Sequence, residues 1–236
     1  MYDIIFISYN ETNAEENFAR LQKRFSAPTL KRVDGVEGIH NAHIAAARKA
    51  MTKMFWVVDG DAQILDSFNF DYQVPNSDLE MVHVWRSINP INDLEYGYGG
   101  VKLLPKKLTM NMNTGNIDMT TSISTLFKPM PEVSNVTAFN TDPFSAWRSG
   151  FRECAKLASN IIDRQDDVET LQRLVTWCST GDDRSYGIFS IAGALAGKVY
   201  GEKNASNKEA LCKINDFAWL EEQFNLQQAV QQAEKS

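Results

Sequence analysis

The chain has 236 residues and is 43% hydrophobic, enough to bury a sizeable core in a single domain, with or without a helical annex. Its 24 Lys and Arg against 30 Asp and Glu give a net charge of −6, which excludes a global attraction to nucleic acid or an anionic membrane but allows a local basic face. Cys154, Cys178 and Cys212 are odd in number, widely spaced and without a C-x-x-C pair, which argues against a disulfide framework and a structural zinc site.

The opening MYDIIFISYN lacks a basic leader, and no apolar run is long enough to span a bilayer, so no membrane partner and a cytoplasmic location are expected. Residues 3–9 read as a buried strand. NAEENFARLQKRF reads as a helix, with Phe18, Leu21 and Phe25 on one face. LKRVDGV is a second strand ending at Asp34-Gly35. NAHIAAARKAMTKM is a helix with Asn41 as its N-cap, and a third strand covers 55–58. Two right-handed crossovers follow from this order, so the fold class is α/β with a mainly parallel sheet flanked by helices. Ligands of such sheets sit beyond the carboxyl ends of the strands, so Ser8-Tyr9-Asn10, Asp34-Gly35 and Asp59-Gly60-Asp61 should converge on one edge. Later segments are less regular: a strand at 82–85, a glycine-rich turn entering a strand in YGYGGVKLLP, and a β-prone TTSIST. From Pro143 the periodicity is helical. A single domain over 1–236 is expected, in three parts over 1–105, 106–160 and 161–236, the last of them helical.

The stretch KMFWVVDGDAQIL drives a buried strand into two carboxylates separated by one glycine. In extended backbone, residues i and i+2 project to one side, so Asp59 and Asp61 can aim at one point. Gly60 lets a bulky anion approach the backbone. Mutual repulsion of the two acids would be relieved by a hard cation, Mn²⁺ or Mg²⁺, which could clamp a diphosphate. The competing reading is a β-hairpin closed by Asp-Gly.

Strand IIFISYN, helix, strand ending VDG, helix and FWVVDGDA together resemble the nucleotide-binding half of a GT-A glycosyltransferase, whose D-x-D motif binds a divalent metal and a sugar-nucleotide diphosphate. The resemblance covers about the first 150 residues and implies a GT-A-like, Rossmann-type fold with a nucleotide-sugar-binding half over 1–105 and an acceptor and catalytic part over 106–160. It further implies Asp61 as direct metal ligand, Asp59 near the donor ribose or metal, and a UDP-sugar as favoured donor. Ser8, Tyr9, Asn10, Asp34, His40, Asn41 and Gly60 would line the donor pocket. In AFNTDPFSAWRSGF, Asp142 before Pro143 suits a helix N-cap, and its position also resembles that of the general base of inverting GT-A enzymes. The sequence departs from the family in lacking a late histidine, since His40, His43 and His83 are all early.

For the acceptor, Trp85, Arg86, Tyr98, Gly99, Gly100 and Lys102 combine aromatic, glycine and basic character, and Trp147 could roof the site. The run VKLLPKKL with Arg148, Arg152 and Arg184 could form a basic face. The layout VVDGDA … FNTDPFSAWRSGFRE resembles phage-type glycosyltransferases that modify hydroxymethylated pyrimidines in DNA, which implies a modified-DNA acceptor reached by base flipping and, for a phage protein, the host cytoplasm. Alternatives are a saccharide or small-molecule acceptor, a haloacid-dehalogenase-like phosphohydrolase with Asp59 as nucleophile, a non-catalytic sugar-nucleotide-binding module, and a structural or interaction protein.

Overall fold

A computed structural model describes residues 1–97, 99–161 and 166–233. The chain separates into two compact units, Met1–Ala138 and Phe139–Ser236, with the boundary falling inside the stretch 106–160.

The first unit runs β1 (Asp3–Ser8), α1 (Ala14–Gln22), β2 (Leu30–Asp34), α2 (Ile39–Lys49), β3 (Met54–Asp59), β4 (Ala62–Ile64), β5 (Val82–Ile88), β6 (Glu95–Tyr96), β7 (Val101–Pro105), α3 (Lys106–Met110), α4 (Met119–Ile123) and β8 (Phe127–Thr137). Its sheet has the order β2-β1-β3-β7-β5-β8-β4, with β6 paired to β5. The two crossovers read from the sequence make β2, β1 and β3 a parallel block. Beyond β3 the sheet is mixed, which corrects the expectation of a mainly parallel sheet. β7 is antiparallel to β3 and β5, β8 is parallel to β5, and β4 is antiparallel to β8. Parallel neighbours need a crossover connection, whereas the link from β5 to β7 turns straight back and lays β6 antiparallel on β5.

Strand periodicity explains the near-continuous apolar runs. On β1 and β3, Ile4, Phe6, Trp56 and Val58 face one layer, packed with Leu21, Phe68, Phe70 and Trp85, whereas Ile5, Phe55 and Val57 face the other, packed with Ala46, Ala47 and Leu104. Both faces are covered, so alternation of apolar with polar residues disappears.

Three local expectations are revised. Helix α2 starts at Ile39 behind Gly38, whose φ of 85° suits glycine, so Asn41 lies inside the first turn and donates to the Glu37 carbonyl instead of capping. TTSIST contributes to α4, because Asp118 accepts the Thr121 N–H at 3.0 Å and so nucleates a helical turn. β8 carries Pro129 and Pro131, which lack ladder donors and hid an 11-residue strand from the pattern.

The second unit contains α5 (Pro143–Ser159), α6 (Asp167–Ser179), α7 (Gly187–Asn204), α8 (Lys208–Cys212) and α9 (Phe217–Ala233). Gly193, Gly197 and Gly201, four residues apart, share one face of α7 and lie against the backbone oxygens of Trp147, Phe151 and Ala155 on α5. A side chain on any of the three would run into those carbonyls. Among the described residues, no helix is long and apolar enough to cross a membrane.

Candidate functional site

Parallel register places Ser8 beside Asp34 and Ile7 beside Asp59, so the three strand-end clusters do finish at one edge of the sheet. Ser8 is buried and donates its hydroxyl to Asp34 Oδ1 at 2.5 Å. Arg32 ties the pair together, donating from Nε to Ser8 Oγ at 2.9 Å and from a terminal nitrogen to Asp34 Oδ1 at 3.1 Å. The Ser8 hydrogen bond, seconded by Arg32, holds the Asp34 carboxyl below the usual carboxylate range. Asp34, Tyr9 and Asn10 are exposed along this edge.

Asp59 is the last residue of β3. The strand pairs with β1 and β7, and β4 pairs with β8, so Asp-Gly closes no hairpin here. Asp59 Oδ2 accepts the Lys102 ammonium at 2.6 Å and the Gly100 N–H at 3.1 Å, while Asp59 N donates to Gly100 O at 2.9 Å. Burial pushes the Asp59 carboxyl up, but Lys102 and Gly100 outweigh it and leave the group below its ordinary value. A Cβ at Gly60 would lie 2.6 Å from Glu11 Oε2, so that side chain would have to move aside, and the Gly60 carbonyl accepts the buried Asn17 amide at 2.8 Å. Asp61, half-buried, accepts the Ala138 N–H at its backbone oxygen, 2.8 Å away.

Gly99 and Gly100 adopt φ of 147° and 85°, and at Gly100 a Cβ would collide with the Asn135 amide. Asn135 is itself fixed: Oδ1 accepts from Ser87 at 2.9 Å and Ser134 at 2.8 Å, and Nδ2 donates to Thr137 at 3.1 Å. Ser87 also donates to Gly99 O at 2.8 Å, so a buried polar network holds the glycine turn against Asp59. Glu11, Asn17 and Asn135 were not singled out from the sequence, because only the folded path brings the β1–α1 loop, α1 and β8 to this edge.

Two aromatic candidates for acceptor contact are corrected. Trp85 is buried with its ring 4.5 Å from that of Trp56, and Trp147 is buried in the second unit, donating to Gln227 at 2.5 Å and stacking on Phe151. Rings enclosed in a core have no face to offer a ligand. Lys102, also read as an acceptor contact, is the buried partner of Asp59. Arg86 is exposed on β5. Tyr98 lies outside the described residues. His40 Nε2 sits 3.1 Å from Ser122 Oγ, and exposed Asn41 lies on the same helix. His43 is buried with Nδ1 2.7 Å from the Ile39 carbonyl and Nε2 without a hydrogen-bond partner among the described residues. Burial, with the Lys102 charge added, pushes its imidazole down to about 4.

Asp142 caps α5 as its sequence context predicts, with Pro143 at the first helical position and Oδ1 accepting the Ser145 N–H at 2.8 Å. Burial pushes this carboxyl up, but the bonds from Ser145 and Thr141 prevail and hold it below its ordinary value. Of the basic run, Lys106 donates to the Ala50 carbonyl, while Arg148 lies 4.2 Å from the Phe217 ring centroid and Arg152 donates to Ile214 and Asn215. These contacts tie much of the expected basic face to the fold.

The donor set does not fit a cation chelated by both acids of the Asp59-Gly60-Asp61 motif, because one Asp59 oxygen already carries an ammonium and an amide proton. Among the described residues, no group of three or more His, Cys, Asp and Glu side chains is placed to hold a metal ion. No family model matches the chain, and no curated protein matches it.

Proposed function

We propose that the protein is a GT-A-like glycosyltransferase that moves a sugar from a nucleoside diphosphate sugar, with a UDP-sugar favoured, to an acceptor hydroxyl. The observation that carries the reading is the meeting of Ser8-Asp34 and Asp59-Gly60-Asp61 at the carboxyl edge of a parallel β2-β1-β3 block, the usual ligand edge of open α/β sheets. Tyr9, Asn10 and Asp34 supply ring, amide and carboxylate groups suited to a nucleoside, while buried Ser8, first read as a donor contact, holds Asp34 from behind. In the transfer, the acceptor oxygen bonds to the anomeric carbon as the bond to the diphosphate breaks, and the acceptor proton passes to a carboxylate, for which Asp142 is the candidate. No step is assigned to a cation at Asp59; a role for Mn²⁺ or Mg²⁺ would have to begin at Asp61. The acceptor proposed first is a hydroxymethylpyrimidine in DNA, with saccharides as the alternative.

Calorimetry with UDP and related nucleotides, with and without Mn²⁺, on wild type and Asp61→Asn tests the donor half. Sugar transfer to hydroxymethylated DNA and to simple saccharides then tests the acceptor. Binding to no nucleoside diphosphate would remove the reading. A non-catalytic sugar-nucleotide-binding module is the second reading, favoured by the fact that both Asp142 oxygens are engaged and the carboxyl is a weakened base. It expects donor binding without turnover for any acceptor.

A further inference from the structure

We propose that Lys102 is the resident counter-cation of the Asp59-Gly60-Asp61 motif, so that Asp59 is a lysine-paired acceptor and not a ligand of a divalent metal. The Lys102 side chain is 7% exposed and Asp59 29%, with 2.6 Å between Nζ and Oδ2. Lys102 cannot be drawn aside cheaply, because its strand is registered against both neighbours, opposite Val57 on β3 and Val84 on β5. The turn before it is fixed by the Gly100 N–H on the same Asp59 oxygen and by the Ser87–Asn135–Thr137 network beneath. A divalent ion on Asp59 would face the ammonium at close range, or expel it into surroundings where His43, on the helix behind, stays neutral and offers no negative charge. The carboxylate repulsion that a metal would relieve is already relieved by Lys102.

The charge assignment stands on its own, and its bearing on donor binding rests on the proposed glycosyltransferase reading. Direct Mn²⁺ binding, read from the electron paramagnetic resonance signal of the free ion, is compared for wild type, Lys102→Met and the double variant Asp59→Asn/Lys102→Met. Expected is equal Mn²⁺ affinity, within about threefold, for wild type and the double variant, with a gain of about tenfold in Lys102→Met as a like charge is removed. A fall of tenfold or more from wild type to the double variant would make Asp59 a ligand and overturn the proposal, as would an unchanged Lys102→Met. Should Lys102→Met fail to fold, the charge-neutral double variant still decides. UDP titrated in the presence of EDTA separates the two ideas. Binding retained in EDTA supports a lysine-neutralised motif, and binding that needs Mn²⁺ and is lost in the double variant overturns it. Absence of UDP binding in either condition counts against the glycosyltransferase, and the Mn²⁺ comparison alone then settles the charge assignment.

Discussion

Lys102 on β7 and Asp59 at the end of β3 form an ion pair, 2.6 Å between Nζ and Oδ2, buried on the lysine side and half-buried on the carboxylate side, that neutralises the first acid of the D-x-D motif. The two sides of the pair are unequal, since Lys102 is the more deeply enclosed. Asp59→Asn strands an ammonium in the interior and is expected to lower stability by about 3–5 kcal/mol. Lys102→Met leaves a carboxylate that water can still reach, so its loss is smaller. The double variant recovers most of the stability, and urea unfolding of all four proteins gives the coupling energy.

The α5–α7 contact is set by glycine. At Gly197 a methyl group would meet the Phe151 carbonyl oxygen, and only separation of the helices relieves the clash. Gly197→Ala should therefore destabilise the protein by about 1–3 kcal/mol through overpacking, despite the roughly 1 kcal/mol by which Ala favours a helix over Gly. Leu195→Ala on the exposed face of α7 is the control, with a change within about 0.5 kcal/mol. Thermal unfolding of both variants decides.

Much of this architecture was legible because local signals agreed with tertiary demands. Alternating burial on both faces made β1 and β3 continuous apolar runs, and Asp142-Pro143 marked the start of α5. What escaped depended on pairing distant in sequence. β8 is stabilised by β5 and β4 in spite of two prolines, and β4 is three residues whose partner lies more than 70 residues away. At the site, D-x-D and its strand edge were readable, but the lysine answering Asp59 was not, because Lys102 looked like one member of a surface basic run. Only the antiparallel register of β7 turns it inward.

His43 supplies a pH test. Its imidazole is buried and pushed down to about 4 from 6.5, so between those values the unfolded chain binds a proton that the folded one refuses. Stability attributable to this residue is constant above about 6.5 and falls as pH drops toward 4, with a slope of about 1.4 kcal/mol per pH unit in that window. Denaturant unfolding of wild type and His43→Gln between pH 4 and 8 checks the sign; the variant should lose that slope.

Cys178 is half-buried on α6, and its thiol is drawn down to about 7, chiefly by the hydrogen bond from Cys154, whose own thiol burial pushes up. The thiolate is the nucleophile, so alkylation of Cys178 should rise through a midpoint near 7 while Cys154 stays unmodified. Peptide mass spectrometry after brief iodoacetamide treatment from pH 5.5 to 9 reads each cysteine separately. Cys154→Ala should move the Cys178 midpoint upward, because the donor that stabilises its thiolate is gone.

The structural and chemical roles of Asp142 can be separated by choice of substitution. Asparagine caps helices as well as aspartate does, so Asp142→Asn keeps the bond from Ser145 and should leave stability within about 0.5 kcal/mol, whereas Asp142→Ala should lose about 1 kcal/mol. An amide cannot take a proton from an acceptor hydroxyl. If Asp142 is the base, both variants bind donor normally and both lose turnover by about 10²–10⁴-fold. If it only caps, Asp142→Asn turns over like wild type, and any deficit in Asp142→Ala follows its stability. Transfer assays run well below the melting temperature of Asp142→Ala distinguish these outcomes, because there the cap's loss leaves the folded fraction unchanged.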